Sequence, residues 1–156
     1  MRRRVYSNEF MIHLAIEAAK QCGSFEKIRI RGLAQMGNCS TQPFYDGFSS
    51  IKQLRMHALQ TFIEEASVKT GFKENVNKSS FKTWREFCDL FFDCFHRFEG
   101  KELLLEDPEC RIQFYRNFIS PFVDDLLGPS DKKLFKLYYS FLVQQVLIDE
   151  RIEYFI

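Results

Sequence analysis

Long apolar runs, paired cysteines and alternating strand-like segments are all missing from this chain, and each absence narrows what it can be. The longest charge-free stretch near the C-terminus covers residues 137–148, far short of the roughly 20 apolar residues a membrane span requires. Arg2, Arg3 and Arg4 run into Val5-Tyr6-Ser7-Asn8-Glu9 rather than into an apolar segment, which is unlike a secretory signal. A soluble, cytoplasmic protein without a membrane partner is expected. Cys22, Cys39, Cys88, Cys94 and Cys110 make an odd number with no C-x-x-C pair, so neither a disulfide framework nor a closed zinc site is expected. His13, His57 and His96 are scattered, with no H-E-x-x-H spacing. No glycine-rich phosphate loop, nucleophile elbow or catalytic triad signature occurs. The chain is therefore expected to have no catalytic residues, no metal and no cofactor, and not to be an enzyme.

What is present is a soluble helical pattern. Hydrophobic residues make up 46% of 156 and charged residues 28%, with 18 Phe. The net charge of +1 hides an asymmetry. Residues 1–60 hold nine Lys and Arg against four Asp and Glu, a balance of +5; with chain totals of 22 and 21, the remainder holds 13 against 17, or −4. A basic first part on an acidic body suggests a phosphate-binding end, although chance imbalance between solvated faces gives the same numbers.

Helix starts and stops recur along the chain. A first helix begins after Ser7 or Asn8, with Phe10, Ile12, Leu14, Ala15, Ala18 and Ala19 as its apolar face, and Gly23 ends it. A short second helix covers about 30–36 with Leu33 and Ala34 inward. Gly37 and Asn38, which both tolerate positive φ, form a turn. Ser40 is expected to cap a third short helix with Pro43 in its first turn; Phe44 and Phe48 pack inward and Tyr45 points elsewhere. Ser50-Ile51-Lys52-Gln53 reads as a capping box opening a long fourth helix over about 51–70, with Leu54, Ala58, Leu59, Phe62, Ile63 and Ala66 inward and Gly71 as its stop. The polar stretch 73–80 reads as a connection.

Thr83-Trp84-Arg85-Glu86 offers another capping box, with Ser79 or Ser80 as an alternative cap one turn earlier, and opens a helix whose stripe of Trp84, Phe87, Cys88, Phe91, Phe95 and Phe98 fits either a core or a cavity lining. Asp107-Pro108 opens a further helix with Ile112, Tyr115, Phe118, Ile119, Phe122 and Leu126 on one face. Gly128-Pro129 breaks the chain, and Ser130 is expected to cap the last helix. That helix is apolar on more than one side, so it needs cover from several directions, either within the monomer or from a second subunit.

Two short helices joined by a tight turn, the second of them polar, outline a helix-turn-helix, although an αα-hairpin inside a bundle has the same outline. Ser40, Thr41 and Gln42, at the head of the third helix, are small or polar enough to approach base edges and phosphates in a major groove, and Gln suits adenine.

The string IRIRGLAQMGNCSTQPFYDGFSSIKQL, residues 28–54, resembles the DNA-binding signature of the tetracycline-repressor (TetR/AcrR) family, T-(V/I)-R-x-I-A-x-x-A-G-V-S-x-x-x-(L/I)-Y-x-x-F-x-(S/N)-K-x-x-L. The likeness falls on Ile30, Arg31, Leu33, Ala34, Ser40, Phe44, Tyr45, Phe48, Ser50 and Leu54, and covers roughly residues 8–60. It departs where Gly37-Asn38 replaces Ala-Gly, where Arg29 replaces the leading threonine, and where Ile51 takes the lysine position so that Lys52 follows one place late. The resemblance implies an all-α fold, with an N-terminal three-helix helix-turn-helix domain over 1–50 joined by a long fourth helix to a small C-terminal helical bundle over 51–156. It places Ser40, Thr41, Gln42 and Pro43 in the groove. Tyr45 and Arg31 fall on the phosphate backbone, with Arg29 and Lys52 as further phosphate contacts. Arg2, Arg3 and Arg4 form a backbone-following arm or a solvated tail.

It further implies a sequence-specific transcriptional repressor acting as a homodimer, paired through its last two helices, on a near-palindromic operator of double-stranded DNA. A small apolar or aromatic inducer would bind in the C-terminal domain, with Trp84, Phe87, Phe91, Phe95, Phe118 and Phe122 as lining candidates, and tilt of the fourth helix would relay its effect. The alternatives are a helical protein-interaction module with a basic face, and a DNA-binding regulator without an inducer site.

Overall fold

Every regular element among the described residues is a helix. The computed structural model describes residues 6–81 and 83–151, so the arm proposed for Arg2, Arg3 and Arg4 lies outside the described residues. The chain divides into two compact units, one up to Glu64 and one from Glu65 onward. The division falls inside the fourth helix rather than at its start.

In the first unit, α1 (Asn8–Cys22) starts at Ser7, whose hydroxyl accepts from the Phe10 N–H at 3.1 Å. It stops at Gly23, which takes a left-handed φ of 79° that a side chain would strain. Its buried face is Met11, Ala15, Ile16 and Ala19, which keeps Ala15 and Ala19 of the expected face and replaces the rest. Phe10 is 39% exposed, and Ile12, Leu14 and Ala18 are only half-buried. Apolar residues occupy most positions from 10 to 19, so several faces satisfy the helical period and packing selects one of them.

Then come α2 (Ile30–Met36), α3 (Gln42–Gly47) and α4 (Ile51–Lys69). Within this unit Leu33, Ala34, Phe44, Phe48, Leu54, Ala58, Leu59, Phe62 and Ile63 are buried, as the pattern predicts. The loop between α1 and α2 adds Phe25 and Ile28 to the same core, with the Phe25 and Phe62 rings 5.9 Å apart. At the head of α4 the Ser50 hydroxyl accepts from the Gln53 N–H at 3.1 Å. The Gln53 side chain returns one residue earlier than a capping box requires, accepting from both the N–H and the hydroxyl of Ser49.

The second unit holds α5 (Phe72–Lys78), α6 (Trp84–Phe95), α7 (Lys101–Glu106), α8 (Pro108–Phe114), a π-helical turn (Tyr115–Ile119), α9 (Ser120–Leu126) and α10 (Pro129–Ile148). α5 corrects the reading of 73–80 as a connection. Gly71, at φ 74°, redirects the chain after α4, and Phe72 and Val76, one turn apart, are both buried. Around them Glu74 pairs with Lys78 at 2.7 Å and the Asn75 amide donates to the Gly71 carbonyl at 2.9 Å. Two apolar anchors in a polar seven-residue stretch suffice when the rest of the core is in place.

The π-helical turn explains a second difference. Its extra residue changes the step between inward positions, so the buried series is Cys110, Phe114, Ile119, Val123 and Leu127, which shares only Ile119 with the face predicted at uniform spacing. Ile112 is consequently 45% exposed. The Ser120 N–H donates to the Tyr115 carbonyl, five residues back. Pro121 has no N–H to give to the carbonyl four residues back, so the regular ladder is broken here in any case. At the two remaining starts, the buried Asp107 caps α8 by accepting from the Cys110 N–H at 3.1 Å, whereas Gly128, not Ser130, occupies the cap position of α10.

The phenylalanines form the core of this unit. Phe72, Phe87, Phe91, Phe95, Phe114 and Phe135 are fully buried, and their rings meet mostly edge-on or tilted, as in Phe87 against Phe135 at 5.0 Å and 88°. These rings include most of the residues expected to line a ligand site: Trp84, Phe87, Phe91, Phe95, Phe118 and Phe122. The first four are buried against other aromatic rings, Phe118 stacks on Phe114 and Phe122 meets Phe72 edge-on. Cys88 and Cys110 are buried in the same mass, and burial raises their thiol pKa values well above the ordinary range.

Candidate nucleic-acid interface

The turn between α2 and α3 is closed by backbone geometry that only part of the Gly37-Asn38 pair supplies. Asn38 is left-handed at φ 50°, while Gly37 has an ordinary φ of −82°. The Cys39 N–H donates to the Ala34 carbonyl at 2.9 Å, five residues back, which makes the turn a Schellman-type helix end with Asn38 in the left-handed position. Gly37 serves proximity instead: a Cβ there would lie 2.8 Å from Leu14 Cδ1. Gly47 serves the same purpose at the far end of α3, where a Cβ would lie 2.6 Å from Asn8 Oδ1 and 2.7 Å from Met11 Cε. Both glycines let this short helical hairpin sit close on α1.

α3 starts at Gln42 with Pro43 at its second position, where a missing N–H costs nothing. Thr41 holds the cap position without a side-chain hydrogen bond, so Ser40, which is exposed, is not the cap that the sequence suggests. Phe44 and Phe48 point into the core and leave Gln42, Tyr45 and Asp46 on the outward side, Tyr45 at 62% exposure. Among the other predicted contacts, Arg29, Arg31 and Lys52 are exposed, and Thr41 and Pro43 are half-buried.

Two features of this surface were not read from the sequence. Asp46 accepts from the Gln42 amide at 2.8 Å, a one-turn pairing that fixes the Gln42 side chain along α3. Arg55, from the second turn of α4, donates to the Ile28 carbonyl at 2.6 Å. Arg29 donates to that carbonyl at 3.1 Å and to the Glu26 carbonyl at 2.8 Å. Two guanidinium groups thus converge on one oxygen. Burial, and secondarily the Arg29 charge, lowers the Arg55 pKa from its ordinary value, with Glu26 acting in the opposite sense. The Arg55 Nε is buried without a hydrogen-bond partner. A concentration of like charge of this kind is relieved by an anion. The signal for Arg55 was only its charge, because its meeting with Arg29 depends on how the 24–29 loop folds onto α4.

Among the described residues no cluster of three or more His, Cys, Asp or Glu is arranged to hold a metal ion, and no helix is long and apolar enough to cross a membrane. Comparison of the chain with protein-family models, with curated proteins and with solved structures found no match.

Proposed function

We propose that this chain is a sequence-specific DNA-binding transcriptional regulator of the helix-turn-helix type, a repressor released from its operator by a small molecule bound in the second unit. The observation that carries the reading is the outward side of α3. Gln42 and Tyr45 stand exposed on a helix whose opposite side is anchored by Phe44 and Phe48. In this reading Gln42, with Ser40 and Thr41 beside it, meets base edges, while Tyr45, Arg31, Lys52 and the Arg29–Arg55 pair meet phosphates. The resemblance of residues 28–54 to the tetracycline-repressor signature supports the same assignment. A duplex taken from upstream of the coding sequence is expected to bind more tightly than a scrambled duplex. For six or more phosphate contacts, affinity falls roughly a thousandfold or more between 50 and 200 mM salt. Equal binding to both duplexes, or binding indifferent to salt, contradicts the reading.

A homodimer completes it, since two recognition helices on one face of B-DNA must stand about 34–36 Å apart. Leu137, Phe141 and Ile148 of α10 are 69%, 57% and 54% exposed, an apolar strip suited to a second copy of the same helix. Phe141→Glu together with Leu137→Glu is expected to give monomers by sedimentation velocity at concentrations where the wild type is dimeric. Dimers of unchanged stability would remove α10 from the interface.

A further inference from the structure

A groove of about 700 Å³ runs along α10 opposite α8 and the π-helical turn, within the size range of small-molecule sites. Its apolar walls include Leu105, Val143 and Leu147, and its charged lining is Arg111, Arg116 and Lys136 against the single acid Glu106. Among the described residues none of these three cations is paired with a carboxylate, whereas nearby Lys132 meets Asp124 at 3.0 Å. The groove thus gathers unpaired positive charge, although the chain beyond residue 60 carries a balance of −4.

The π-helical turn contributes Tyr115 and Arg116 to the lining. Such wide turns recur at functional sites because they re-aim side chains that a regular helix would place elsewhere. Tyr139 stands opposite, its ring held by Phe91, Tyr115 and Phe135. Its hydroxyl has no hydrogen-bond partner among the described residues.

We propose that this groove binds a small amphipathic molecule with one anionic head, a carboxylate on an aliphatic or aromatic body. The head lies among Arg111, Arg116 and Lys136, the body lies along Leu105, Val143 and Leu147, and Tyr139 donates to the head. The inference takes up the ligand part of the reading above. It places the ligand away from the phenylalanine core, and its test measures binding without DNA, so a failure of operator recognition leaves it standing.

Titration calorimetry on the full chain with decanoate, decanol and decylammonium, all below micelle formation, separates head from tail. Decanoate is expected to bind at least tenfold more tightly than the other two. Arg116→Gln and Lys136→Gln, checked for unchanged helical circular dichroism, should each weaken decanoate about tenfold, whereas Lys133→Gln, outside the groove, leaves it unchanged. Equal binding of the three probes, no binding of any, or full decanoate affinity in both groove variants overturns the proposal. So does retention on phosphatidylglycerol vesicles that decanoate does not reverse, which would assign the cations to a lipid surface.

Discussion

Replacing Phe72 with alanine lowers the stability of the second unit by about 3–5 kcal/mol, the range for deleting a buried aromatic ring that its surroundings cannot collapse to fill. Phe72 is fully buried and meets four other rings: Phe95 at 5.2 Å, and Phe87, Phe91 and Phe122 at 5.9 Å each, the last three edge-on. Each such pair adds roughly 0.5–1.5 kcal/mol beyond the area it buries. The substitution also removes one of the two anchors of α5, leaving Val76 alone to hold a seven-residue helix that is marginal by itself. For a chain of this size the thermal midpoint falls by about 6–20 °C, and protease cleavage between residues 70 and 80 accelerates. Differential scanning calorimetry of the variant beside Val68→Ser, an exposed apolar residue on α4, checks the estimate. A Phe72 effect no larger than that of Val68 would show that the ring cluster adds little.

Gln42→Ala and Tyr45→Ala are expected to weaken operator binding by about tenfold or more each while leaving the melting temperature within a degree or two. Tyr45 is 62% exposed and Gln42 bonds only along its own helix, and surface changes of that kind stay within roughly 0.5 kcal/mol of neutral. A side chain that reads a base edge is worth about 1–3 kcal/mol of discrimination. Gln42→Ala carries a second penalty, because it releases Asp46 from its hydrogen bond and leaves an unshared carboxylate facing phosphate. Asp46→Asn should therefore strengthen binding to any duplex, by roughly threefold to tenfold at low salt. Fluorescence anisotropy with specific and scrambled duplexes distinguishes the effects. Loss at Gln42 should be largest on the specific sequence, and the gain at Asp46 equal on both.

The positions of α1, α2 and α3 were legible because their determinants are local. Ser7 and Gly23 bound α1, Leu33 and Ala34 turn α2 inward, and the Phe44–Phe48 spacing orients α3. What stayed hidden depends on contacts distant in sequence or on irregular backbone. α5 rests on Phe72 meeting rings from α6 and on the burial of Val76, so nothing inside 71–80 announces a helix. The π-helical turn shifts the inward face by one residue, which a uniform period cannot anticipate, and it carries Tyr115 and Arg116 into the groove. The Phe stripe of α6 had two readings, a core or a cavity lining, and its rings are buried against one another. The groove went unseen because its cations come from positions 111, 116 and 136, a set with no spacing of its own. Arg55 was visible as a charge and nothing more, until the 24–29 loop brought Arg29 beside it.

The most direct measurement is a titration of the nitrogen-15-labelled chain with the upstream duplex, followed by amide chemical shifts. If α3 is the reading surface, the largest shifts gather at Ser40, Gln42 and Tyr45, with Arg31, Lys52 and Arg55 next, and they fade as salt rises. Shifts confined to α10, or none at all at low salt, would show that this face does not meet DNA.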